Sequence, residues 1–162
     1  MPDVKTLYDE DFLAWSEQQA EALRNAVRAG SNLALDWKNL AEEIEDLGNS
    51  QKSALHSQVR RIIQHFLKLE YSPASDPRRG WRDSIANART EIDYLLGVSP
   101  SLRHHVDAAI AEETKRAVGI VLRDLETYGE INPVGARRMR SANYTVEQIL
   151  GDWFPPEPAP AQ

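Results

Sequence analysis

The chain contains no cysteine. That excludes disulfides, a thiolate nucleophile and Cys-ligated zinc, and leaves packing as the source of stability. No apolar run approaches the ~20 residues needed to cross a bilayer, and the opening MPDVKTLYDEDF lacks the basic-then-apolar order of a signal peptide. Both features lead to the expectation of a cytoplasmic protein without membrane contact. The eight glycines never form GxGxxG or a GxxxxGK phosphate loop, and no serine sits in GxSxG, so the common backbone cradles for phosphate and the strained nucleophile elbow are missing. None of the four histidines follows a carboxylate by three residues, so the Glu-x-x-His spacing of helical di-iron sites is absent too. His56 and His65 point to opposite sides of a helix, and the neighbours His104 and His105 diverge by about 100°. The reading is therefore of no metal site and no cofactor, and it leans away from an enzyme.

What is present is unevenly distributed charge. The net charge is −6 over 162 residues. Residues 1–50 carry 4 basic and 11 acidic side chains, residues 51–90 carry 8 and 3, and residues 91–162 carry 7 and 11. The middle is a basic island in an acidic chain. Its ordinary explanation is a basic segment lying against acidic neighbours, and an acidic whole argues against nucleic acid as a partner.

One helical stripe runs through residues 36–71. At 100° per residue, Leu40, Ile44, Leu47, Leu55, Ile62 and Phe66 fall within a sector of about 120°, together with the polar Gln51, Gln58 and His65. Unbroken phase predicts one helix on the order of 50 Å long, capped by Asp36, with Gly48 as the place where a kink would fall. Before it, residues 7–29 place Phe12, Trp15, Leu23 and Ala26 on one face and stop at Gly30. Pro73 and Pro77 end the long helix. A third helix from about Arg78 carries Trp81, Ile85, Arg89 and Ile92 and closes at Gly97. Ser99-Pro100 opens a fourth, which runs to Tyr128. Residues 130–143, with Pro133, Gly135 and three arginines, read as a loop, and Thr145 caps a short last helix. No strand pattern appears. The expected fold is all-α: an up-down antiparallel four-helix bundle built on the long helix, with a short C-terminal helix, in a single domain over residues 1–155 followed by a Pro-rich mobile tail over 156–162.

Antiparallel register supplies the candidate sites. It gathers His65, Lys68, Trp81 and Arg82 near the turn between the second and third helices, where basic groups beside an aromatic suit a small anionic ligand. It also sets Arg89 opposite Glu112 or Glu113 as a structural ion pair, and Glu43 level with Leu23 and Arg24. Glu43 and His65 lie about 33 Å apart along a straight helix and cannot share a site.

Several segments together resemble a family. They are Tyr8-Asp9-Glu10-Asp11-Phe12 with Trp15 and Gln19; Asp36-Trp37 through Leu40-Ala41-Glu42-Glu43-Ile44-Glu45 to Leu47-Gly48; and His65-Phe66-Leu67-Lys68. Trp81 with Ser84-Ile85 and Arg89, Ser99-Pro100-Ser101-Leu102, and Tyr144-Thr145-Val146-Glu147-Gln148-Ile149-Leu150 into Phe154-Pro155 complete the pattern. The family is a bacterial group of domains of unknown function, number 29 of that series, and the likeness spans nearly the whole chain. It implies an all-helical domain and carries no activity with it. The expected function is a non-enzymatic helical interaction module that works through a bundle face, on a protein partner or on a second copy. The alternatives are a small anionic-ligand or enzymatic site at His65, Lys68, Trp81 and Arg82, and weak polyanion binding by the basic segment.

Overall fold

The computed structural model describes residues 4–158. Among these residues there is no strand, and the helices are α1 (Val4–Glu10), α2 (Phe12–Arg28), α3 (Trp37–Tyr71), α4 (Arg78–Val98), α5 (Val106–Thr127), α6 (Pro133–Arg140) and α7 (Val146–Leu150), with a 3₁₀ turn at Pro100–His105. The chain is all-α, as its periodicity implies. Of the Pro-rich tail, residues 159–162 lie outside the described residues. Two compact units share the chain: Met1–Leu55 with Tyr94–His105, and His56–Asp93 with Val106–Gln162.

In the first unit the helix expected over 7–29 is interrupted. Asp11 adopts extended geometry (φ −153°, ψ 93°) and caps α2 by accepting from the Ala14 N–H at 3.0 Å. The same carboxylate accepts from the Ser101 N–H at 2.7 Å and the Ser101 hydroxyl at 2.8 Å, while the Ser99 hydroxyl accepts from the Leu13 N–H at 3.1 Å. Three hydrogen bonds to the Ser99–Ser101 segment and one local cap outweigh the single turn of α-helix given up at Asp11. Asp36 accepts from the Asn39 N–H at 3.3 Å and opens α3 where the sequence places its start.

Helix α3 is a single element of 35 residues, but its packing face is not the one the wheel selects in the first half. Leu40 is 40% and Leu47 50% exposed, whereas Ala41 is 1% exposed and Gly48 is buried. The buried face is rotated by one residue, about 100°. The cause is close approach: a Cβ on Gly48 would stand 2.0 Å from Ser16 Oγ and 3.0 Å from Leu13 Cδ1 of α2. Small residues turn inward because only they admit α2 at that distance, and the leucines beside them are left outside.

The second unit has a conventional apolar core. Val59, Ile62, Phe66 and Leu69 of α3 are buried, with Ile85, Ala88 and Ile92 of α4 and Ala109, Ala117 and Val121 of α5. Residues 133–140, expected as loop, form α6. Asn132 caps it by accepting from the Gly135 N–H, Pro133 stands at its first position, and Ala136 and Met139 are buried against α5. The proline sits where its missing N–H costs nothing.

Candidate functional site

The structural ion pair expected of Arg89 is not formed. The Arg89 guanidinium donates to the Ile149 and Gln148 carbonyls at 2.9 Å each and to the Trp153 carbonyl at 2.6 Å. It thereby serves the otherwise unpaired carbonyls at the end of α7. The Phe66 and Phe154 rings lie 5.6 and 5.1 Å from its centre, and burial pulls its pKa below the usual arginine value. A charged donor fork satisfies three acceptors at once, more than one carboxylate offers.

Glu113, its supposed partner, is 0% exposed and belongs to a different group. His56 Nδ1 lies 2.9 Å from one carboxylate oxygen, Arg60 donates to the other at 3.3 Å, and Arg116 donates from one turn along α5. Glu112 is exposed, with an oxygen 3.8 Å from His56 Nδ1. The ligand-type atoms of His56, Glu112 and Glu113 lie within 4.8 Å of one another, a spacing that suits a cation. Two guanidiniums already balance the two carboxylates, so a divalent ion would have to displace an arginine and leave excess positive charge. The cluster is chemically complete as an ion network around one buried carboxylate. Its sequence signal was the i,i+4 pair His56 and Arg60, with Glu113 and Arg116 at i,i+3.

None of the described cavities is lined by His65, Lys68, Trp81 and Arg82 together. Arg82 pairs with Glu157 at 2.6 Å and lies 5.2 Å from the Phe154 ring centre, and Trp81 lies 6.0 Å beneath the Arg78 guanidinium. Arg78 in turn donates to the Leu69 and Ser72 carbonyls and closes the end of α3. Lys68 lines a groove with Gln64, Arg123 and Asp124. The His65 Nδ1 is shielded and has no protein hydrogen-bond partner; burial first, then Lys68 and Arg61, lowers its pKa to about 4. The imidazole is neutral at pH 7. Arg78 and Arg82 are thus committed to carbonyls, rings and one carboxylate.

Two surfaces among the described residues stand out. At the end of α3, Glu70 and Tyr71 line a cavity of about 350 Å³ with Arg138, Tyr144, Gln148 and Trp153. On the first half of the same helix, Trp37, Leu40, Ile44 and Leu47 recur at spacings of three, four and three residues, the seam of a coiled coil. Leu33 at 66% and Leu35 at 50% exposure adjoin it in sequence. Asp36, Glu42, Glu43 and Asp46 are exposed around the seam, with Lys38 as the single basic residue among positions 36–47. Glu45 is taken by Arg24, whose guanidinium donates at 2.7 and 3.4 Å, two residues from the Glu43 level that register arithmetic selects.

Element order and committed polar groups define an all-helical domain whose arginines and buried carboxylate hold structure. The chain belongs to the family described as domain of unknown function DUF29, whose match covers residues 7–154. It is similar in fold to an alpha-helical protein of unknown function from Rhodospirillum rubrum, with 25% sequence identity over 88% of this chain and 94% of that one and a TM-score of 0.64. No curated protein matches it.

Proposed function

We propose that the protein is a helical interaction module that docks a partner helix on the seam formed by Trp37, Leu40, Ile44 and Leu47. The observation that carries this is the one-residue rotation of the first half of α3: Ala41 and Gly48 are buried while Leu40 and Leu47, seven residues apart, are left half exposed. Leaving two leucines about half exposed forgoes roughly 1 kcal/mol of burial each, and a helix laid along the seam recovers it as i, i+3, i+4, i+7 anchors. The occupant is an amphipathic helix with lysine or arginine flanks. Four exposed carboxylates against one lysine attract such a partner and repel the same face of a second copy.

Selection from a display library of amphipathic helical peptides tests the reading. Enriched sequences are expected to join a leucine-type seam to basic flanks, to bind more weakly as salt rises, and to lose at least about tenfold affinity to a Leu40→Gln, Leu47→Gln protein whose melting temperature is unchanged. Enrichment of acidic flanks, or binding indifferent to both substitutions, overturns it. So does a stable dimer in light scattering that the two substitutions dissociate, because the occupant would then be a second copy.

A further inference from the structure

The cavity at the end of α3 lies wholly within the second unit and is independent of the seam. Its volume of about 350 Å³ falls at the small end of the range for small-molecule sites, roughly 300–1,000 Å³. Three aromatic side chains, Tyr71, Tyr144 and Trp153, line it beside one carboxylate and one guanidinium. The carboxylate is poorly served: the Glu70 side chain is 22% exposed, and its protein hydrogen bond, from Arg138, is long at 3.5 Å. Burial raises the Glu70 pKa, with Arg138 opposing the shift, so the carboxylate gains from a closer cation. Arg138 is 72% exposed on its side chain. The Tyr144 hydroxyl is shielded, without a protein partner, and feels the Glu70 charge.

A lone cation in this cavity meets the arginine, and a lone anion meets the glutamate. Only a molecule carrying both charges satisfies both groups. We propose that the cavity binds a small zwitterion of the amino-acid or betaine class, its ammonium against Glu70 and the rings of Tyr71, Tyr144 and Trp153, and its carboxylate against Arg138. Ammonium groups are held by aromatic faces through the ring quadrupole, and arginine takes a carboxylate through two parallel donors.

Saturation-transfer NMR on the full chain tests this with glycine betaine, L-leucine and L-phenylalanine as probes and with tetramethylammonium and acetate as single-charge controls. At least one zwitterion is expected to bind with a Kd of about 1 mM or tighter, both controls at least about tenfold more weakly, and Arg138→Met and Glu70→Gln each to weaken the zwitterion about tenfold. Arg138 is exposed, so its replacement leaves the fold intact and reports binding even if Glu70→Gln unfolds the protein. No zwitterion bound at ~10 mM, a single-charge control bound as tightly as the zwitterion, or undiminished affinity in Arg138→Met overturns the assignment.

Discussion

A methyl group at position 48 would stand 2.0 Å from Ser16 Oγ, inside any tolerable contact, so Gly48 is where the approach of α2 to α3 is decided. Gly48→Ala gains the usual advantage of alanine in a helix, about 1 kcal/mol, but overpacking of this kind costs about 1–3 kcal/mol. We expect a net loss of about 2 kcal/mol in urea unfolding, and partial recovery in Gly48→Ala with Ser16→Ala, because removing the hydroxyl removes the closest contact; additive losses would show that the two residues do not meet. His65 supplies the pH dependence. Its folded pKa of about 4 lies below the ordinary histidine value of 6.5, so between those values the unfolded chain binds a proton that the folded protein refuses. Stability attributable to His65 is present above pH 6.5 and is lost as pH falls toward 4. Urea midpoints from pH 7 to 4 should therefore fall more steeply for the wild type than for His65→Gln, and equal slopes would show that the imidazole titrates normally. The stripe position of His65 was legible in the sequence. Its missing Nδ1 partner was not, because that depends on which atoms of other helices arrive beside it.

Among the elements, α7 shows how a short helix is held. Five residues cannot sustain a helix alone, yet Thr145 and Gln148 form a reciprocal capping box at one end and Arg89 clamps the carbonyls at the other. Arg89→Met leaves three acceptors without their donor; allowing for its half-exposed position, the expected loss is about 3 kcal/mol. Glu113→Gln should add independently, within about 0.5 kcal/mol, because the two side chains share no partner. A large coupling in the double-mutant cycle would restore the ion pair that register arithmetic suggests. That arithmetic treats facing helices as straight and evenly phased, and the 3₁₀ turn at Pro100–His105 breaks the even phase before α5 begins. The same limit explains α1, α2 and α6. Helical periodicity continues across Asp11, so only the meeting of Asp11 with Ser101, 90 residues away, reveals the break. Asn132-Pro133 was a readable helix start, but Ala136 and Met139 make too brief an apolar pattern to identify α6 without the surface they cover.

At the scale of the whole molecule, the first unit carries 6 basic and 11 acidic residues and the second 13 and 14. The acidity of the chain is therefore concentrated where the exposed seam lies. Association with a basic helix should be steered by that charge, so its on-rate should fall between low and physiological salt while the off-rate responds mainly to Leu40 and Leu47. Stopped-flow mixing with a selected peptide separates the two, and a salt-independent on-rate would remove the charge argument for the partner. The sequence by itself determined the all-helical class, the extent of Trp37–Tyr71 and its Asp36 cap, the absence of thiol and phosphate-loop motifs, and the membership carried by residues 7–154, because propensity, periodicity and capping act between residues a few positions apart. Only the tertiary structure decided which way α3 turns, where Arg89 and Glu113 find their partners, and that Glu70, Arg138 and three rings surround one cavity. A wheel ranks faces by hydrophobicity, but close packing ranks them by the distance a neighbouring helix can reach, and at Ala41 and Gly48 distance prevailed.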